Sequence, residues 1–107
     1  TRSDVGRGHP EYYQDLGRSI AEQKGAYFIN QFGNPDNPLA HETTTAPEIV
    51  KQMDGDLDAI VLGVGSSGTV SGIGKYLAEN APHVDMILAD PVGSILANYI
   101  NKGEMGV

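Results

Sequence analysis

Apolar runs of strand length alternate along this chain with segments in which apolar residues recur at helical spacing. The strand-like runs are residues 26–29, 59–62 and 84–89. Helical spacing is found in residues 10–25, 45–53 and 68–77, and again from about residue 94. Because a helical pattern follows each apolar run, the sequence predicts an α/β fold with a parallel sheet and flanking helices.

Turn and cap residues predict where these elements begin and end. Gly25 is expected to end the first helix, since glycine readily adopts the left-handed conformation found at helix C-termini. Residues 34–38 are predicted to be loop, because two prolines and the polar residues around them disfavour both helix and strand. Thr45 and Glu48 have the spacing of a capping box, which predicts a helix start. His41 would then be a loop residue with a structural role.

Composition narrows the possible partners and location. The formal charge of −7, from 14 acidic and 7 basic residues, argues against nucleic acid and anionic membranes as partners. No apolar run approaches the roughly 18 residues of a membrane-spanning helix, and residues 1–8 are not a signal peptide. The sequence contains no cysteine, so disulfides, thiolate metal sites and a catalytic thiol are excluded. No metal site is predicted, and a cytoplasmic location is expected.

The length of 107 residues allows one small domain. Three parallel strands in so short a chain leave two open sheet edges and too little helix to cover both faces. The sequence therefore predicts that residues 1–107 are a single fragment, mainly one α/β domain, of a larger protein.

The junction between the second apolar run and the following helix carries the strongest chemical signal. Glycines there let the backbone turn tightly and approach an anion without a Cβ in the way. The first amide groups of the helix and its dipole favour a bound phosphate, and nearby hydroxyls add donors. The predicted phosphate site consists of Gly65, Ser66, Ser67, Gly68 and Thr69.

Two other interpretations compete on spacing alone. Residues 63–68 read GxGxxG after a strand, and Asp90 lies where a ribose-binding acid is expected, which would indicate a dinucleotide site. The segment would also be compatible with a glycine-rich connection that binds no ligand. A lone GxGxxG does not separate these possibilities.

Four ordered motifs resemble the cysteine synthase and cystathionine β-synthase family of pyridoxal-phosphate enzymes. They are NQFGNPDNPLAH (30–41), TTAPEI (44–49), VGSSGTVSGIGKYL (64–77) and DPVGSIL (90–96). Four motifs in order are more specific than one glycine loop, and they favour this family over the dinucleotide interpretation. The resemblance implies a fold type II enzyme of two α/β domains, with pyridoxal 5′-phosphate in the cleft between them.

The resemblance also implies roles for particular residues. The family's GTGGT phosphate loop stands here at residues 65–69, with Ser67 in place of a glycine. Gln31 matches a glutamine that helps to hold the carboxylate of the amino-acid substrate. Phe32 resembles the cysteine synthase branch, whereas residues 90–96 resemble the cystathionine β-synthase branch, so the branch stays open.

The implied activity is β-replacement on a serine or acetylserine-type substrate by a sulfur nucleophile, as a lyase or transferase. The family's Schiff-base lysine lies upstream of the matched segments, so no catalytic residue is expected here and the chain alone is predicted to be inactive. None of the four lysines of this chain matches the family's Schiff-base lysine: Lys24, Lys51, Lys75 and Lys102. The intact protein is expected to be a homodimer. The alternative from another class is a non-catalytic small-molecule or interaction module.

Overall fold

The computed structural model describes residues 2, 4–94 and 96–102, and the chain divides into two compact units, residues 1–34 and 35–107. The helices in the described ranges are α1 (Tyr13–Lys24), α2 (Asp36–Ala40), a π-helical segment (His41–Thr45), α3 (Ala46–Gln52), α4 (Gly68–Asn80) and α5 (Leu96–Lys102). The strands are β1 (Ala59–Leu62) and β2 (Asp85–Leu88). Within those ranges, no helix combines the length and apolar character needed to span a membrane.

In the first unit, α1 ends as its sequence predicts. Gly25 adopts the left-handed conformation (φ 63°) and donates its N–H to the Ala21 carbonyl. Gly17 brings the helix close to Phe28, because a Cβ at this position would lie 3.4 Å from the Phe28 ring. The Arg18 guanidinium lies 5.2 Å from the centroid of the same ring, within cation–π range.

The predicted strand at residues 26–29 is wrong. The segment has no strand assignment, and the side chains of Tyr27 and Ile29 are 80% and 67% exposed. An apolar run becomes a strand only when a neighbour completes the hydrogen-bond ladder, and no described strand pairs with these residues. The apolar run at residues 26–29 is therefore a segment with the composition of a strand but with no pairing strand among the described residues.

In the second unit, β1 and β2 form a parallel pair, which confirms the predicted α/β class. The register runs from Ala59 opposite Asp85 to Leu62 opposite Leu88, with α4 as the crossover between the strands. Residues 59–62 match the prediction, whereas the strand predicted at 84–89 is shorter by one residue at each end. Two strands are present in the described residues, where three had been expected.

The core of this unit lies between α4 and the elements around it. Ile73 and Leu77 of α4 are each 2% exposed and pack with Ala46 of α3. Burying one such aliphatic side chain contributes roughly 1.5–3 kcal/mol to stability. The opposite face of the sheet is open, since Val61 is 65% exposed and Ile87 is 49% exposed.

Residues 36–52 form one continuous helical stretch, so three predictions fail here. The predicted loop at 34–38 already contains the first turn of α2; Pro38 fits because a first-turn N–H has no partner inside the helix. Thr45 does not begin a helix: it has helical angles (φ −57°, ψ −51°) and makes no capping bond. His41, predicted as a loop residue, begins the π-helical segment.

Candidate functional site

The 65–69 loop lies at the carboxyl edge of the sheet, where β1 meets α4. The Ala89 N–H donates to the Leu62 carbonyl at 2.9 Å, which holds the ends of the two strands together just before the chain turns. Residues 63–70 line a cavity of about 150 Å³ at this edge. In parallel sheets, ligands bind in this position because loops and helix N-termini converge there.

The N-terminus of α4 directs backbone donors toward the loop. Its first helical hydrogen bond runs from the Ser71 N–H to the Ser67 carbonyl at 2.9 Å, so the amides before Ser71 precede the regular ladder. The Gly68 N–H lies 3.4 Å from Ser66 Oγ. The amides at Thr69 and Val70 have no partner within the helix and line the cavity.

Ser67 has an unusual backbone conformation. Its φ of 72° and ψ of 0° place it in the left-handed region, where a side chain costs roughly 1–2 kcal/mol relative to glycine. This strained residue lies at the junction between the loop and the helix. Strained backbone conformations of this kind cluster at functional sites. Glycine stands at the same position in the family motif, so the sequence departs from the motif where glycine fits best.

Asn37 of α2 packs directly beneath the loop. Its Nδ2 donates to Ser66 Oγ at 2.9 Å. Its amide also faces the α-carbon of Gly68 so closely that a Cβ at Gly68 would overlap it. Gly68 is therefore required by the packing of α4 against α2, in addition to any ligand.

His41 links the loop to the π-helical segment. Its Nε2 lies 3.3 Å from Thr69 Oγ1, and its Nδ1 lies 2.9 Å from Thr45 Oγ1. The helices approach closely at Gly72, where a Cβ would lie 2.8 Å from the Glu42 N–H nitrogen. π-Helical turns occur often at functional sites, and this one places an imidazole against a loop hydroxyl.

Sequence analysis did not identify Asn37 or His41 as residues that contact the loop. Their spacing of four residues was the available signal, since such residues share one face of a helix. The signal was lost because residues 34–38 were predicted to be loop. Lys75, the lysine nearest to the loop in sequence, instead pairs with Glu42 at 3.2 Å.

Gln31 belongs to the first unit and the 65–69 loop to the second, so the structure defines each within its own unit. Gln31 follows Asn30, which has a positive φ of 56°, in a tight turn. The Gly33 and Asn34 N–H groups donate to the Asn30 carbonyl at 2.9 and 2.8 Å. Gln31 lines a cavity of about 100 Å³ together with Tyr13, Gln14, Phe28, Asn30 and Phe32.

Comparison with known proteins identifies the class. Residues 4–105 match the family described as pyridoxal-phosphate dependent enzyme, and the chain belongs to that family. The predicted resemblance is confirmed, and membership implies pyridoxal 5′-phosphate as the cofactor. The dinucleotide interpretation of residues 63–68 is set aside.

Named relatives fall in both predicted branches. Cysteine synthase 3 of Caenorhabditis elegans is 39% identical over 94% of this chain and 30% of its own length. Cystathionine beta-synthase of Apis mellifera is 42% identical over 81% of this chain and 18% of its own length. A solved mutant of O-ureido-L-serine synthase with O-ureido-L-serine bound superposes with a TM-score of 0.69 at 36% identity, over 83% of this chain and 27% of that one. The chain thus spans less than a third of these relatives.

The 65–69 loop has the features that a phosphate group requires. A Cβ built on Gly65 meets no atom within 4 Å, so open space lies directly over the backbone there. Hydroxyl groups of Ser66, Ser67 and Thr69 and the first amides of α4 border the same cavity. These groups donate hydrogen bonds, as a dianionic phosphate monoester with acceptor oxygens needs.

Proposed function

We propose that this chain is the phosphate-holding part of a pyridoxal-phosphate enzyme that performs β-replacement in sulfur amino-acid metabolism. The observation that carries the proposal is the 65–69 loop, a donor-lined turn between a parallel strand and a helix N-terminus. Its place within a chain that matches the family over residues 4–105 supports the assignment. The relatives support both cysteine-forming and cystathionine-forming chemistry, and the proposal includes both.

The residues of the loop would bind the cofactor phosphate rather than react. Gly65 and Gly68 leave room for the phosphate and for the helix beneath it, while Ser66, Ser67 and Thr69 donate hydroxyl hydrogen bonds. The amides at the start of α4 add donors and a favourable dipole. When bound, the cofactor supplies an electron sink for negative charge that develops on the substrate.

Gln31 would orient the substrate. Its side-chain amide can donate to a carboxylate, and such a hydrogen bond to a charged group contributes about 1.5–3 kcal/mol. The substrate would be serine or an acetylserine-type amino acid, and the incoming partner a sulfur nucleophile. The role of the glutamine would be to hold the substrate carboxylate in a fixed orientation.

The catalytic groups would come from the rest of a longer polypeptide, here called the intact protein. The chain covers 30% of the nematode relative and 18% of the bee relative, so a family enzyme has much beyond this segment. The Schiff-base lysine is assigned to that part, and this chain alone is proposed to be inactive. The intact protein is proposed to be a cytoplasmic homodimer without nucleic-acid or membrane partners, in keeping with its segment's charge of −7.

The function is tested on the intact protein loaded with pyridoxal 5′-phosphate. Serine and acetylserine would each be supplied with sulfide or with a thiol amino acid, and the products identified by mass spectrometry. We expect a β-replaced amino acid from at least one pairing. A protein that binds the cofactor but replaces no β-substituent would contradict the activity, and one that binds no cofactor would favour the non-catalytic interaction module.

A further inference from the structure

Two side chains of the helical stretch 36–52 contact two hydroxyls of the 65–69 loop. Asn37 Nδ2 lies 2.9 Å from Ser66 Oγ, and His41 Nε2 lies 3.3 Å from Thr69 Oγ1. Residues four apart share one face of a helix, so a single helical surface meets both hydroxyls.

The direction of these hydrogen bonds decides what the hydroxyls can still do. The Asn37 Nδ2 group is a donor only, so the Ser66 oxygen accepts and its proton stays available for another acceptor. A neutral imidazole has one donor nitrogen and one acceptor nitrogen. If Nε2 of His41 carries the proton, it donates to Thr69, and the Thr69 proton also stays available.

We propose that Asn37 and His41 are positioning residues for the cofactor phosphate, which orient the Ser66 and Thr69 hydroxyl protons into the cavity. The inference rests on the proposed function, because the phosphate is the acceptor toward which those protons point. Thr45 completes the chain of donors: when His41 carries its proton on Nε2, its Nδ1 accepts from the Thr45 hydroxyl, 2.9 Å away. In the opposite tautomer the Thr69 hydroxyl would donate its proton to Nε2 of His41, and the lone pairs of the Thr69 oxygen would face the phosphate.

The hydroxyl of Thr45 has a different hydrogen-bond partner from the hydroxyls of its two neighbours. Thr43 and Thr44 each donate to a backbone carbonyl four residues earlier, at Leu39 and Ala40, with distances of 2.8 and 2.6 Å. Thr45, the next residue, instead contacts the imidazole. The π-helical segment therefore supplies one hydroxyl that differs from its two neighbours by binding His41.

The first test compares two replacements of His41 in the intact apoprotein. Dissociation constants would be measured for pyridoxal 5′-phosphate and for pyridoxal, which lacks the phosphate. His41→Phe should weaken binding of the phosphorylated form by roughly tenfold, the scale of one hydrogen bond to a charged group. His41→Gln should restore most of this loss, since its amide can donate from a similar position, and pyridoxal binding should stay unchanged.

The second test asks whether His41 acts through Thr69. In a Thr69→Val background, His41→Phe should cause no further loss of affinity for pyridoxal 5′-phosphate. Thr45→Val should weaken binding measurably, whereas the matched variant Thr44→Val should not. Nitrogen-15 NMR of the holoprotein should show His41 with its proton on Nε2.

The outcomes separate this inference from the proposed function. The positioning role would be overturned if His41→Phe lost affinity equally for pyridoxal and for pyridoxal 5′-phosphate. It would also be overturned if His41→Phe had its full effect in the Thr69→Val background. Either result would mean that these side chains act only through packing. Asn37→Leu would be measured in the same way. If the parent prefers pyridoxal 5′-phosphate over pyridoxal, and if His41→Phe and Asn37→Leu bind pyridoxal 5′-phosphate as tightly as the parent, the positioning role would be overturned and the proposed function would stand. A parent with no preference for the phosphorylated form would overturn both.

Discussion

The 65–69 loop and the turn around Gln31 are held in place by different means. The loop hydroxyls are contacted by Asn37 and His41, which lie 29 and 28 residues away in sequence. The Gln31 turn is held by its neighbours, through hydrogen bonds of 2.9 and 2.8 Å to the Asn30 carbonyl. Around it, large apolar side chains are exposed, including Tyr27 at 80%.

The difference shows what each region needs in order to form. A strand–helix junction that packs on a second helix within its own unit supplies both the backbone donors and their support. An apolar segment such as 26–29 becomes a strand only with a neighbouring strand, which the described residues do not provide. The conformation of the loop should therefore change when residues of this chain that support it are substituted. The conformation of the Gln31 region should depend more on contacts that only the intact protein supplies.

The largest effect is expected when the chain is made alone. The 107 residues should show no β-replacement and no stoichiometric attachment of pyridoxal 5′-phosphate, because we propose that the Schiff-base lysine is none of the four lysines in this chain. The measurement is incubation with the cofactor, borohydride reduction and peptide mass spectrometry. Full labelling of one lysine, together with turnover of serine or acetylserine, would contradict the prediction.

A branched side chain at Gly68 should nearly abolish cofactor binding in the intact protein. Its Cβ would overlap the Asn37 amide, and relief of such a clash would displace the loop. We expect Gly68→Val to weaken pyridoxal 5′-phosphate binding by at least about a hundredfold, since overpacking costs a few kcal/mol. Gly74→Ala is the control in the same helix, because its Cβ meets the flexible side chain of Met86. Absorbance titration that found parental affinity for Gly68→Val would refute the placement of the loop.

Replacement of Gln31 should affect the substrate rather than the cofactor. Loss of a hydrogen bond to a charged carboxylate should raise the apparent substrate dissociation constant of Gln31→Ala by roughly tenfold to a hundredfold. The resting cofactor spectrum should barely change. Gln14→Ala is the matched control, since Gln14 lines the same cavity and donates to the Tyr13 hydroxyl. Loss of bound cofactor with unchanged substrate affinity would contradict the role of Gln31.

The smallest effects are expected where non-glycine residues have positive φ. Ser67 (φ 72°) precedes α4, and Asp54 (φ 52°) follows α3, where the Gly55 N–H donates to the Val50 carbonyl at 2.9 Å. Ser67→Gly and Asp54→Gly should each stabilise the fold by about 1 kcal/mol, by removal of left-handed strain. Denaturation midpoints measure this gain. Ser67→Gly should change cofactor affinity less than about threefold, since glycine stands at this position in the family motif and the loop keeps the Ser66 and Thr69 hydroxyls and the first amides of α4 as donors; a large loss would make its hydroxyl essential.

Local signals allowed much of the second unit to be predicted from sequence. β1 has the predicted bounds of 59–62, and α4 begins at Gly68, because a buried apolar run, glycines and helical spacing are all properties of adjacent residues. Gly25 ends α1 for the same reason. The proposed phosphate site follows from these adjacent features.

Features that depend on distant residues could not be predicted. Residues 36–52 are helical despite the loop tendency of two prolines, because residues of this stretch, such as Ala46, pack against α4. The π-helical segment has no sequence rule of its own, and so the contacts of Asn37 and His41 with the loop stayed hidden. Residues 26–29 carry a strand pattern whose pairing partner is not among the described strands.

The central claim is that the 65–69 loop holds the cofactor phosphate, and Gly65→Ala in the intact protein tests it most directly. The new methyl group meets no protein atom within 4 Å and the backbone φ lies outside the left-handed region, so folding should be unaffected. Gly6→Ala is the matched control, with the same open surroundings away from the loop. We predict that Gly65→Ala keeps the parental melting temperature and binds pyridoxal 5′-phosphate at least about tenfold more weakly, on the scale of one lost hydrogen bond to a charged group, with pyridoxal affinity unchanged. Parental affinity for both ligands would contradict the claim.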